Sequence, residues 1–137
     1  MRKRIKVSVP IIALGLLILF VIAASLYLIF TNTCVHVSKI TVSSENLPES
    51  FDGFKIVQVS DLHNAEFGKG NRRLIDKIKK SEPDIIVITG DLIDSDRTDM
   101  KIALDFVERA LEIAPCYFVG GNHEGRINDE ESFYGEL

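Results

Sequence analysis

The sequence predicts an α/β domain that follows one membrane-spanning helix. The first observation is an uninterrupted uncharged run, residues 9–30, near the start of the 137-residue chain. The second is a set of three short apolar segments, rich in β-branched residues and separated by amphipathic helical patterns. The third is that a polar island follows each apolar segment, at nearly even spacing. Together these features indicate a parallel sheet built from strand–helix–strand units.

The apolar run is long enough to cross a bilayer, because about 20 helical residues span the ~30 Å hydrocarbon core. Four basic residues and no acidic residue precede it within residues 1–8. Basic residues favour the cytoplasmic side. We therefore expect a cytoplasmic segment 1–8, a single-pass helix 9–30 in the cell membrane and an extracytoplasmic domain, residues 31–137. The alternative is a cleaved signal peptide, whose apolar core is normally about 7–15 residues long.

The charge balance argues against a nucleic acid held by electrostatic attraction. The chain has 16 basic and 20 acidic residues, and its net charge is −4. Four of the basic residues precede the apolar run, so the exported part is more acidic still. An acidic surface repels the phosphate backbone of a nucleic acid. A substrate held through a metal ion remains compatible with this charge.

Four segments after the apolar run carry strand patterns. Residues 35–42 alternate apolar and polar side chains, which is typical of a half-exposed strand. The three apolar segments are predicted as strands at residues 54–60, 84–89 and 116–119. The middle one contains a continuous apolar run, residues 85–88, which is typical of a parallel strand covered on both faces.

Amphipathic helices are predicted between and after these strands. Residues 72–80 place their apolar side chains on one face, and Asn71 is expected to cap this helix. A second helix is predicted over residues 98–112. A third is predicted over residues 128–137, where Phe133 is expected to have few neighbours to pack against.

The polar islands predict a metal site. They are Asp61-Leu62-His63, Gly90-Asp91-Leu92-Ile93-Asp94 and Gly121-Asn122-His123-Glu124. Asp61 lies 30 residues before Asp91, and Asn122 lies 31 residues after it, which is the length of one strand–helix–strand crossover. The carboxyl ends of parallel strands meet at one edge of the sheet, so these side chains are expected to lie together. Carboxylate, amide oxygen and imidazole ligands suit divalent transition metals or magnesium.

The three islands, in this order, resemble the first three motifs of the calcineurin-like metallophosphoesterases. The chain resembles the membrane-anchored bacterial branch of this family in two segments, Ser-Asp-Leu-His and Pro-Asp-Ile-Ile-Val-Ile-Thr-Gly-Asp. The resemblance covers about residues 39–124. It implies an αββα sandwich, of which this chain would hold the first half. It also implies a hydrolase that cleaves a phosphomonoester or phosphodiester. The position beside a bilayer adds the expectation that this substrate is lipid-linked.

The resemblance also implies a role for each polar residue. Asp61 and His63 would bind a first divalent ion. Asp91 would bridge it to a second ion, to which Asn122 would offer its side-chain oxygen. His123 would stabilise or protonate the leaving group.

The resemblance implies two ions of the manganese, iron or zinc class, and Asp94 would support the site without binding them. Members of the family take further histidines from later motifs, but this chain has three in total, and His36 is expected to be a solvated residue beside the membrane. The second metal site would then be incomplete, and we expect the chain to be the N-terminal fragment of a longer enzyme. The alternative is a non-catalytic membrane-tethered fragment or interaction module, without metal-dependent turnover.

Overall fold

The structure is a computed structural model that describes residues 9–127 and 133–135. The chain divides into two compact units, residues 1–34 and residues 35–137. The predicted cytoplasmic segment, residues 1–8, lies outside the described residues. So does most of the third predicted helix, of which residues 133–135 are described and are helical.

The first unit contains one long helix, α1, which runs from Val9 to Thr33. It has 25 residues, none of them charged, and by length and composition it is able to cross a membrane. It extends three residues beyond the predicted run. The hydroxyls of Thr31 and Thr33 donate to the carbonyls of Leu28 and Ile29, at 3.0 Å and 2.9 Å. These bonds let polar residues continue the last helical turn.

The second unit is built around a parallel three-stranded sheet. Its strands are β1 (Ile56–Val59), β2 (Ile85–Thr89) and β3 (Cys116–Val119), in the order β1-β2-β3. Ile56 pairs with Ile85 at the start of β1, and Ile86 pairs with Cys116 at the start of β3. The central strand β2 therefore has a partner on each side. This arrangement confirms the predicted α/β class.

Both predicted crossover helices are present, as α2 (Arg72–Ser81) and α3 (Met100–Leu111). Asp99 caps α3, since its side chain accepts the backbone N–H of Ile102. Asn71 occupies the cap position of α2 but does not cap it. Its side-chain oxygen instead accepts the N–H of Phe67 at 2.9 Å, which closes the preceding loop.

The hydrophobic core joins the sheet, both crossover helices and the loops after the strands. Phe106 of α3 and Ile86 of β2 are fully buried within it. Phe133 is also fully buried, and its ring packs edge-to-face against Phe118 of β3 with the centroids 6.2 Å apart. The expectation that Phe133 has few neighbours is therefore wrong, because β3 supplies an aromatic partner.

Residues 35–42 form no strand in the described part of the chain, so that prediction is wrong for this structure. The segment pairs with neither edge of the sheet, which ends at β1 and β3. Ile40 and Val42 are 86% and 76% exposed. Alternating side chains favour an extended backbone, but a strand also needs a neighbour that satisfies its N–H and C=O groups.

Replacing Phe106 by alanine is expected to destabilise the second unit by about 3–5 kcal/mol, because a large core cavity would remain. The measurement is urea unfolding of the full chain in detergent, followed by circular dichroism. Leu111→Ala in the same helix is the control. Leu111 is 52% exposed, so a loss of less than about 1 kcal/mol is expected there. Equal losses of stability in the two variants would contradict the burial of Phe106 in this core.

Candidate metal centre

The loops after the three strands meet at the carboxyl edge of the sheet. Beyond the end of β1, the N–H groups of Asp61 and His63 donate to the carbonyls of Gly90 and Asp91, at 3.1 Å and 2.9 Å. The N–H of Gly90 donates in turn to the carbonyl of Val119, at the end of β3, at 2.8 Å. Strand pairing thus continues into the loops, so the polar islands are held in a fixed register.

In these loops, four non-glycine residues in or directly beside the polar islands have a left-handed backbone. The φ angles are 54° at Asp61, 46° at His63, 57° at Asn64 and 49° at Asp91. This conformation is uncommon for residues with a side chain, but Asp, Asn and His adopt it several-fold more often than others. The residue types that bind metals are therefore also the types that tolerate these turns.

His63, Asp91 and His123 form a cluster whose potential ligand atoms all lie within 4.8 Å of one another. His63 Nε2 lies 3.8 Å from Asp91 Oδ2 and 4.0 Å from Asp61 Oδ1. A divalent ion holds nitrogen and oxygen ligands at about 2.0–2.2 Å, so two ligands of one ion lie at most about 4.4 Å apart. Both distances meet that limit. The donor set therefore fits a divalent transition metal.

The clustered carboxylates differ in exposure. The side chain of Asp91 is 12% exposed, while that of Asp61 is 65% exposed. Asp61 also accepts a hydrogen bond from the Ser60 hydroxyl. The residues that could hold a cation here thus include one buried carboxylate and one solvated carboxylate.

Asn122 lies next to the cluster in the loop after β3. The backbone N–H of its neighbour His123 donates to Asp91 Oδ1 at 2.9 Å. The Asn122 side chain is exposed and makes no hydrogen bond with the other described residues. Its oxygen thus keeps its full capacity to accept a bond or bind an ion.

One ring nitrogen of His123 is fixed by the loop after β2. The backbone N–H of Ser95 donates to His123 Nδ1 at 3.0 Å, and the Ser95 hydroxyl lies 3.1 Å from the same atom. Asp94 Oδ1 is 3.8 Å from Nδ1, beyond hydrogen-bond distance. Because a backbone N–H can only donate, Nδ1 carries a lone pair here. The neutral ring therefore carries its proton on Nε2.

Asp94 and Asn64 organise the loop that carries Ser95. The N–H of Asp96 donates to Asp94 Oδ1 at 2.9 Å. This bond is the main reason why the pKa of Asp94 lies below its ordinary value. Desolvation raises the pKa, and the positive charge of Arg97 lowers it further. Asn64 Oδ1 accepts the N–H of Asp94 at 2.7 Å, and Asn64 Nδ2 donates to the carbonyl of Asp99 at 2.6 Å. Sequence reasoning missed Asn64, whose signal was its position directly after His63.

Glu124 also received no role in the sequence analysis, although it closes the third island. It is fully buried. Its Oε2 accepts the N–H groups of Asp91 and Gly121, at 2.9 Å and 2.7 Å, and its Oε1 accepts the N–H of Ile93 at 3.1 Å. By contrast, His36 is exposed and is not part of the cluster.

A sequence model of the calcineurin-like phosphoesterase family matches residues 54–137. Among curated proteins, the chain is 30% identical over 97 residues to a "Transmembrane protein with metallophosphoesterase domain" of Danio rerio, which covers 69% of this chain and 22% of that protein. It is 41% identical over 66 residues to the "Uncharacterized metallophosphoesterase YkuE" of Bacillus subtilis, which covers 47% of this chain and 23% of that protein.

A third relative, the "Uncharacterized metallophosphoesterase Cj0846" of Campylobacter jejuni, is 29% identical over 110 residues, which covers 77% of this chain and 29% of that protein. The chain spans about a quarter of the length of the curated relatives that it matches. No solved structure matches it significantly. The parallel sheet with its two crossover helices is consistent with the first half of a metallophosphoesterase domain.

Proposed function

Because the chain belongs to the calcineurin-like phosphoesterase family, we propose that its second unit binds divalent metal ions and hydrolyses phosphoesters while α1 anchors it in a membrane. The family is one of metal-dependent hydrolases. The observation that carries the proposal is the convergence of His63, Asp91 and His123 from three separate loops.

The proposed first ion is held by Asp61, His63 and Asp91. His63 Nε2 lies 3.8 Å from Asp91 Oδ2 and 4.0 Å from Asp61 Oδ1, and these two distances support this set. Asp91 Oδ2 faces His63, whereas Asp91 Oδ1 accepts one N–H and keeps a second lone pair. Asp91 would therefore be able to serve a second ion as well, and Asn122 would supply the other ligand that this chain offers. These two residues alone would hold that ion more weakly than the first.

His123 is proposed to act on the leaving group, which it would stabilise or protonate. Its Nδ1 accepts the Ser95 N–H, so the neutral ring presents Nε2–H as a hydrogen-bond donor that can stabilise negative charge on a leaving oxygen. A group that donates from Nε2 does not bind a metal through that nitrogen, which separates His123 from the ligand His63. When bound, ions of the manganese, iron or zinc class lower the pKa of a water molecule toward about 7 and neutralise charge on a phosphate.

The proposed substrate is a phosphomonoester or phosphodiester, and a lipid-linked ester is the class that a membrane anchor favours. The candidate membrane helix and relatives named as transmembrane proteins support a membrane location. We further propose that residues 1–8 are cytoplasmic and that the domain lies outside the cell membrane, since basic residues favour the cytoplasmic side.

Replacing His123 by asparagine is expected to lower the turnover of phenyl phosphate by about 10²–10³-fold, the usual loss when one hydrogen-bond donor to a developing oxyanion is removed. The loss is expected to be smaller with p-nitrophenyl phosphate, whose leaving group needs little stabilisation. Mn²⁺ affinity should stay close to that of the wild type, whereas His63→Asn should weaken it at least about 10-fold.

These comparisons use the full chain in detergent with millimolar Mn²⁺, and His36→Asn is the control. Equal losses of turnover on the two esters would contradict an action of His123 on the leaving oxygen. A loss of Mn²⁺ binding in His123→Asn would instead identify His123 as a ligand.

A further inference from the structure

We propose that Glu124 is a positioning residue that sets the geometry of the Asp91 carboxylate, an inference that rests on the proposed metal site. Glu124 is one of three polar or charged side chains that are buried in the described part of the chain. Among the described residues, it accepts hydrogen bonds from backbone N–H groups of the two loops that carry Asp91 and His123.

Glu124 contacts Asp91 directly, and it also bonds to Gly121, which packs against Asp91. Its Oε2 accepts the N–H of Asp91 itself, at 2.9 Å. The same oxygen accepts the N–H of Gly121 at 2.7 Å and so holds Gly121 against Asp91. A Cβ on Gly121 would lie 2.3 Å from Asp91 Oδ1, so the Asp91 side chain rests directly on this glycine.

We call the three hydrogen bonds that Glu124 accepts from Asp91, Ile93 and Gly121 the Glu124 clamp. The backbone conformation of Asp91 explains what this clamp stabilises. Asp91 has a left-handed φ of 49°, a conformation that is unfavourable for a residue with a side chain. The N–H of Asp91 points to Glu124, while its carboxylate contacts His63 and the N–H of His123. If the first bond is lost, the turn can relax and the carboxylate moves away from His63.

The chemistry of the clamp requires a carboxylate. Three N–H donors converge on its two oxygens, with two donors on Oε2 and one on Oε1. A glutamine has one carbonyl oxygen, and its amide group can only donate. In Glu124→Gln at least one buried N–H, that of Ile93 or those of Asp91 and Gly121, therefore faces another donor.

Glu124→Gln is expected to weaken Mn²⁺ binding by the full chain about 10–100-fold, the usual effect of losing a group that orients a ligand. Calorimetric titration measures this affinity, and the visible spectrum of the Co²⁺-loaded protein reports the coordination geometry. We expect the Co²⁺ bands to shift. Glu66→Gln is the matched control, because Glu66 also accepts a backbone N–H, that of Gly70, but does not contact Asp91.

A purely structural role would lower the unfolding midpoint and leave both the Mn²⁺ affinity and the Co²⁺ spectrum of the folded protein unchanged, which would overturn the proposal. If the wild type binds no Mn²⁺, the proposed function fails and the inference fails with it. If Glu124→Gln does not fold, amide hydrogen exchange of the metal-free wild type tests the proposal instead. The N–H groups of Asp91, Ile93 and Gly121 are expected to exchange slowly because Glu124 accepts them. If they exchange as fast as amides in exposed loops, the proposed role of Glu124 is wrong.

Discussion

Replacing Asp91 by asparagine should abolish both tight Mn²⁺ binding and phosphoester hydrolysis while the second unit stays folded. Asparagine has nearly the same volume, and its oxygen can still accept the N–H of His123. It lacks the negative charge and the second carboxylate oxygen that a bridging ligand needs. Loss of an orienting partner alone costs about 10–100-fold in affinity or activity, so loss of the bridging ligand should cost at least about 100-fold.

The control for Asp91→Asn is Asp84→Asn, at the opposite end of the same strand. Asp84 also accepts a backbone N–H, that of Lys55, at 2.7 Å. Both variants are compared with the wild type by calorimetric Mn²⁺ titration, turnover of p-nitrophenyl phosphate and circular dichroism. Turnover retained by Asp91→Asn would contradict the assigned role. A similar loss in Asp84→Asn would point to a general effect on folding.

Replacing Gly121 by alanine should also disrupt the metal site, although Gly121 offers no ligand. The new methyl group would lie 2.3 Å from Asp91 Oδ1 and 2.6 Å from the Asp91 backbone nitrogen. Rotation of the Asp91 side chain relieves only the first contact, so the two loops must separate. We expect a loss of stability of about 1–3 kcal/mol, the usual cost of overpacking, and Mn²⁺ affinity at least about 10-fold weaker.

Gly125→Ala is the matched control for this change. Gly125 lies in the same loop, four residues later, and a Cβ there would meet no atom of the described residues within 4 Å. Urea unfolding and Mn²⁺ titration of both variants separate the two positions. If Gly121→Ala binds Mn²⁺ as tightly as Gly125→Ala, the close packing of Gly121 on Asp91 does not govern the metal site.

The strands and the convergence of their loops follow from features that are local in the sequence. Residues 85–88 are all apolar, and they lie in the central strand of the sheet, Ile85–Thr89. Parallel strands must return through a crossover, so the spacing of the polar islands already brings Asp61 and Asp91 to one edge. The first strand is shorter than predicted, because the N–H of Phe54 bonds to Phe51 in a turn instead of joining the sheet.

Other features depend on contacts between distant parts of the chain. The N–H groups that Glu124 accepts from the loop after β2 come from residues more than 30 positions away, and Asn64 reaches Asp99 from 35 positions away. Spacing and periodicity do not give the direction of such side chains. The alternation of apolar and polar residues also predicted a strand at residues 35–42, where the structure supplies no partner strand. The sequence pattern did not predict that Phe118 packs against Phe133.

The central claim is that three loops of this chain assemble a divalent metal site, and a Mn²⁺ titration of the full chain in detergent tests it most directly. Calorimetry should show saturable binding that is lost in Asp91→Asn, weakened in His63→Asn and unchanged in His36→Asn. Absence of saturable binding, or equal binding by the wild type and Asp91→Asn, would contradict the claim.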